Sequence, residues 1–167
     1  MPAENEEDLA LSRRAAGGDH LAFALLVEKH ERALRSFLMR MGAGDLADDI
    51  AQEAFLKAWK AASQYDGRAR YSTWLTRIAW RCRLDQLRRQ RPVEPDSWAG
   101  EEGPADEVQD LLARLTDNER VALVVCDGHG WTHSEAAELL SVPLGTLKST
   151  VARAKAKCRE MWRRADG

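Results

Sequence analysis

The sequence predicts an all-α fold of two small helical domains, an N-terminal helical bundle and a C-terminal helix-turn-helix, joined by an acidic flexible linker. Three observations predict it. From Leu9 to about Gln90, apolar residues recur at spacings of three and four with almost no β-branched runs, the period of helices that bury one face. Next comes PVEPDSWAGEEGP, residues 92–104, with three prolines, two glycines and four acids. No helix continues through it, because proline lacks the amide donor and restricts the residue before it. Beyond it, Thr116 with Glu119 and Thr132 with Glu135 each form a capping box, in which hydroxyl and carboxylate satisfy two backbone amides and fix a helix start. The expected domains are 9–91 and 106–164, with a linker at 92–105.

Bulk composition narrows the function. The 167 residues carry 25 Lys and Arg against 27 Asp and Glu, a formal charge of -2, so any pull on nucleic acid must be local. No stretch approaches the roughly 20 apolar residues of a membrane span, and MPAENEEDLALSRR lacks the basic start and apolar run of a secretory signal. A cytoplasmic protein with no membrane insertion is expected. Cys82, Cys126 and Cys158 stand far apart, which predicts reduced thiols and neither a disulfide frame nor a zinc ribbon.

Within the first domain, DLADDIAQEAFLKAWKAA puts Asp49, Gln52 and Glu53 on one helix face at i, i+3 and i+4. Ile50, Ala54, Phe55, Ala58 and Trp59 supply more apolar surface than one face can use. That combination suits a protein partner with basic residues, or is an ordinary exposed acidic face. The loop QYDGRARY follows, with Arg68 and Arg70 around a glycine, a shape able to enclose a base swung out of the stack.

The helix opened by Tyr71 mixes cations and rings. At about 100° per residue, Arg77, Arg81 and Arg88 share a narrow stripe, flanked by Trp74 and Trp80, while Leu75, Ile78, Ala79 and Cys82 lie opposite. Rings beside arginines form a platform for unpaired bases, and the same tryptophans would serve as core residues beneath a solvated basic face.

In the second domain, a helix over 133–140, a turn at Ser141–Pro143 and a long basic helix from Leu144 have helix-turn-helix proportions. Lys148, Ser149, Ala152 and Arg153 share the side that enters a major groove, and Leu147, Val151 and Ala154 face the first helix. Seven bases and one acid lie between Lys148 and Arg164, a pattern that also suits the negative end of a helix dipole.

Cys126, His129 and His133 surround a loop, but His133 lies inside a capping box and a fourth ligand is not evident, so neither metal nor cofactor is expected. No glycine-rich phosphate loop, GxSxG or HExxH is present, and the chain is expected not to be an enzyme.

Four segments in order, GDHLAFALLVEKHERAL, DLADDIAQEAFLKAW, YDGRARYSTWLTRIA followed by LDQLRR, and SVPLGTLKSTVARAKAK, resemble the bacterial extracytoplasmic-function (ECF) sigma factors of the sigma-70 family. The resemblance runs from about residue 9 to 163 and implies an RNA polymerase specificity subunit that directs core polymerase to promoters and assists melting. It implies that Asp49, Gln52 and Glu53 contact the clamp helices of the polymerase largest subunit. Arg68, Arg70, Tyr71, Trp74, Arg77, Trp80, Arg81 and Arg88 would contact the minus-ten element as single strand. Lys148, Ser149, Ala152 and Arg153 would contact the minus-thirty-five duplex. An anti-sigma factor is the further implied partner, and the linker would thread polymerase toward the RNA exit channel. Arg81 replaces the family's usual asparagine and Thr150 its usual arginine. The rival reading is a helix-turn-helix regulator that acts without core polymerase.

Overall fold

The computed structural model describes residues 2–90 and 107–165, and the expected linker at 92–105 lies outside them. Among the described residues there are eight α-helices and no strand. They divide into two compact units between the fourth and fifth helices.

The first unit holds α1 (Pro2–Ala16), α2 (His20–Arg40), α3 (Ala47–Lys60) and α4 (Tyr71–Arg89), with short 3-10 turns at Gly44–Leu46 and Ala62–Gln64. Helix α1 begins well ahead of Leu9. Its N-terminal acids favour the positive end of the helix dipole, and Asp8 is buried against α2. The α1–α2 turn uses Gly18 at φ 95°, after which Asp19 Oδ1 accepts from the amides of Leu21 and Ala22 at 3.1 Å each. Those amides and the Arg14 guanidinium hold the Asp19 carboxyl below its ordinary pKa. Leu26, Phe37 and Leu38 of α2, Ala54 and Ala58 of α3, and Leu75, Ala79 and Cys82 of α4 are fully buried. Small residues on α3 and α4 let those two helices pack closely.

The second unit holds α5 (Glu107–Ala113), α6 (Asp117–Leu123), α7 (His133–Leu140) and α8 (Leu144–Ala165), with a π turn at Val124–Gly128 after α6. Both predicted capping boxes are formed: Thr116 accepts from Glu119 N while Glu119 accepts from Thr116 N, and Thr132 and Glu135 do the same. Helix α7 ends on Ser141 in the left-handed region at φ 53°, and Val142 N closes the turn on Ala137 O at 3.0 Å. Val121, Val125, Ala136, Leu147, Val151 and Ala154 form the core, with Trp131 at its edge. The buried Arg120 donates to Leu112 O at 2.8 Å and fastens α6 to the end of α5.

Candidate nucleic-acid interface

In the second unit, Lys148, Ser149, Ala152 and Arg153 are all exposed on one side of α8, and Leu147, Val151 and Ala154 are buried on the other. Not every base of this helix faces outward for a ligand. Lys157 bonds Glu119 at 2.8 Å, and Lys155 pairs with Asp127 of the π turn at 3.0 Å. These two lysines hold α8 against α6 and the turn after it. Burial pushes the Glu119 carboxyl up, but Lys157 and the Thr116 amide outweigh it and hold the group below its ordinary pKa. Thr150, where an arginine was expected from the resemblance, is buried. Its hydroxyl donates to Thr146 O at 2.8 Å, and Arg153 Nη2 lies 3.4 Å from it.

In the first unit the loop after α3 is a built turn. Asp66 Oδ1 accepts from Arg68 N at 3.0 Å, and Gly67 takes φ 77°, which a residue with a Cβ rarely adopts. Arg68 projects with its side chain 91% exposed, and Arg70 is exposed at the head of α4. The platform of rings needs correction. Tyr71 is 1% and Trp80 8% exposed, so both belong to the core and neither offers a face to a base in this conformation. Tyr71 is enclosed by Tyr65, Trp74 and His30, at centroid distances of 5.2, 5.4 and 5.1 Å. Trp74 is half-buried and is the predicted ring that retains surface beside the loop. Arg81 and Arg88 are exposed, Arg77 is half-buried, and Arg83 is buried, with Nη1 on Gln86 Oε1 at 2.7 Å. Arginines thus surround α4 on several sides, and hydrophobic burial chose the outcome for its rings.

On α3, Asp49 and Gln52 are exposed, whereas Glu53 is half-buried and paired with Lys57 at 3.1 Å. The Glu53 carboxylate is the chief cause of a raised Lys57 pKa, and Lys57 also stands 4.0 Å from Asp85 of α4. A groove of about 610 Å³ runs between α2 and α3, its walls mixing Glu31, Asp48 and Asp49 with Arg32 and Arg35, beside Gln52. The residues expected to supply spare apolar surface do not: Ile50, Ala54, Phe55 and Ala58 are buried. Trp59 stacks on His20 at 5.0 Å and meets Phe23 edge-on at 4.9 Å. Exposed apolar side chains on these two helices include Leu56 of α3 and Leu21 and Leu25 of α2.

Sequence reasoning missed Tyr65 and Asn5. Tyr65 OH lies 2.7 Å from Asn5 Oδ1 and 2.8 Å from Ala69 O, closing the loop against α1. A tyrosine just after a helix and an asparagine sixty positions earlier carry no local signal of pairing. Among the described residues no group of three His, Cys, Asp or Glu is placed to hold a metal ion, and no helix is long and apolar enough to cross a membrane.

A capped helix-turn-helix with Lys148 and Arg153 exposed on its second helix, preceded by a separate helical unit with a cationic loop, is the arrangement of a DNA-binding protein. Comparison with known proteins makes the class specific. Residues 26–93 match Sigma-70 region 2 and residues 105–158 match Sigma-70, region 4. The RNA polymerase sigma factor NccH of Alcaligenes xylosoxydans is 33% identical over 90% of this chain and 91% of its own. The ECF RNA polymerase sigma factor SigM of Mycobacterium tuberculosis is 35% identical over 90% of this chain and 82% of its own. Among solved structures, CnrH, in complex with the cytosolic domain of CnrY, superposes with a TM-score of 0.74 at 28% identity, covering 96% of this chain and 99% of its own. The chain belongs to the sigma-70 family and is an RNA polymerase sigma factor of the ECF type. A regulator that acts without polymerase is not favoured, because the region 2 match occupies the N-terminal half.

Proposed function

We propose that the first unit, residues 9–91 with the rest of α1, docks on core RNA polymerase and grips the minus-ten element as single strand. The second unit, 106–164, reads the minus-thirty-five duplex. The exposure pattern on α8 carries this reading. Lys148, Ser149, Ala152 and Arg153 stand clear at the start of a helix whose other side is locked into the core. Phosphate contacts from such a helix set its register, and one or two side chains read base edges.

For the single strand, Arg68, Arg70, Trp74, Arg81 and Arg88 supply the contacts, with Arg77 at the edge. Tyr71 and Trp80 support that surface from within. Asp49, Gln52 and Glu53 meet basic residues of the clamp helices, with Glu53 released from Lys57 or sharing it. The linker, with Glu94, Asp96, Glu101 and Glu102, suits the positively lined path of RNA. The protein acts in the cytoplasm and catalyses nothing itself; synthesis belongs to the polymerase. CnrH was solved in complex with the cytosolic domain of CnrY, and an anti-sigma factor that covers this chain's polymerase-docking surface is its further partner on this reading.

The test is assembly. The purified chain should bind core polymerase and direct initiation at specific sites on a mixed DNA template. Reversing charge with Asp49→Lys and Glu53→Lys should weaken assembly at least about tenfold, as like charges meet across a docking interface. Unchanged assembly would overturn the clamp-contact assignment.

A further inference from the structure

Asn5, Asp8 and Ser12 fall within about 60° of one another on α1, at 100° per residue. All three are engaged. Asn5 Nδ2 donates to Gly67 O at 2.8 Å, and its Oδ1 accepts from Tyr65 OH at 2.7 Å. Ser12 OH donates to Ala62 O at 3.2 Å, one turn before the loop. Asp8 accepts from Lys29 at 2.8 Å and faces His30 Nε2 at 3.0 Å, and the His30 ring packs on Tyr71. Leu9, beside them, lies directly under Gly67: a Cβ built there would fall 2.8 Å from Leu9 Cδ2.

These contacts fix the inner side of residues 62–69 and leave the outer side to Arg68 and Arg70. A phenol is a donor at neutral pH, and burial raises the Tyr65 hydroxyl further, to about 12. Loops that carry binding groups tend to occupy the least stable part of a fold. A loop already held in its bound shape loses less freedom when it captures a strand.

Resting on the reading that this loop grips an opened strand, we infer that α1 is its positioning element, with Asn5 setting the loop's shape through Tyr65 and Gly67 without touching DNA. Helix α1 precedes residue 26, where the region 2 match begins, so this role lies outside the matched segment.

The experiment uses the full chain bound to core polymerase. The probe is a dye-labelled single strand carrying the non-template sequence of a promoter that the holoenzyme selects from a randomised template pool. Asn5→Ala and Tyr65→Phe should each weaken strand binding at least about fivefold, the effect of one net hydrogen bond. The double variant should lose less than the two single losses combined, because the Asn5–Tyr65 bond is common to both while the bonds to Gly67 and Ala69 are not. Asn5→Asp, which keeps the acceptor for Tyr65 but sets a carboxylate against the Gly67 carbonyl, should not recover the loss. Core affinity and binding to the minus-thirty-five duplex should not change. Full strand affinity in the variants, or an equal loss of core affinity, overturns the inference while leaving the function intact. Failure of the unsubstituted holoenzyme to bind the strand overturns both.

Discussion

Glu119→Ala should loosen α8, and the structure supplies the size of the effect. The carboxylate accepts the Thr116 amide at 3.0 Å within the capping box and Lys157 of α8 at 2.8 Å. Loss of the cap costs about 1 kcal/mol. The Lys157 side chain is 47% exposed against 7% for Glu119, so the abandoned ammonium regains water. That places loss of the charged hydrogen bond near 1 kcal/mol, toward the low end of its range. The expected total is about 2 kcal/mol, which for a small unit is roughly a 10 °C fall in its melting temperature. Glu119→Gln, which keeps an acceptor for Thr116, should lose about half as much. Urea unfolding of the full chain, followed by hydrogen exchange in peptides from α6 and α8, separates this unit from the other. A change within about 0.5 kcal/mol, the range of ordinary surface substitutions, would refute the reasoning. Because the folded carboxyl titrates below its ordinary 4.5, the stabilisation is present above that pH and is lost as pH falls through the folded value.

Other perturbations test separate parts of the molecule. Arg153→Ala should lower affinity for the minus-thirty-five duplex about tenfold in holoenzyme while sparing core assembly, checked by fluorescence anisotropy on duplex and core separately. Burial depresses the His30 pKa despite the facing Asp8 carboxylate, so this histidine contributes stability above 6.5 that is lost as pH falls through its folded value. Unfolding of the first unit followed between about pH 7.5 and 5.5 should show that loss. His30→Gln, a neutral donor to Asp8, should flatten the dependence.

The second unit was largely legible in the sequence. Its capping boxes are local chemistry, readable wherever Thr and Glu stand three apart before an apolar run, and both formed. The turn at Ser141–Pro143 and the burial of Leu147, Val151 and Ala154 follow from one period sustained along α8. Helix α4 was harder because it carries arginines on several sides, so periodicity named a stripe without choosing which rings would be buried. Trp80 and Tyr71 went inward, where their area stabilises the bundle. The contacts of Asn5 with residues 65 and 67 depend on tertiary placement and have no signature in either segment alone. The acidic triad on α3 was visible as a face, but the capture of Glu53 by Lys57 was not drawn from the sequence, although i, i+4 spacing permits it.

The bridges that fasten α8 limit how many counterions the helix can displace from a duplex. Of its seven bases, Lys155, Lys157 and Arg164 already have acidic partners in Asp127, Glu119 and Glu160. With those bridges kept on the duplex, Lys148, Arg153, Arg159 and Arg163 would neutralise phosphates, a slope of log affinity against log salt of about -3.6 from this helix. On that proposal the helix would hold its site with few charges, and much of its residence there would come from the larger enzyme that carries it.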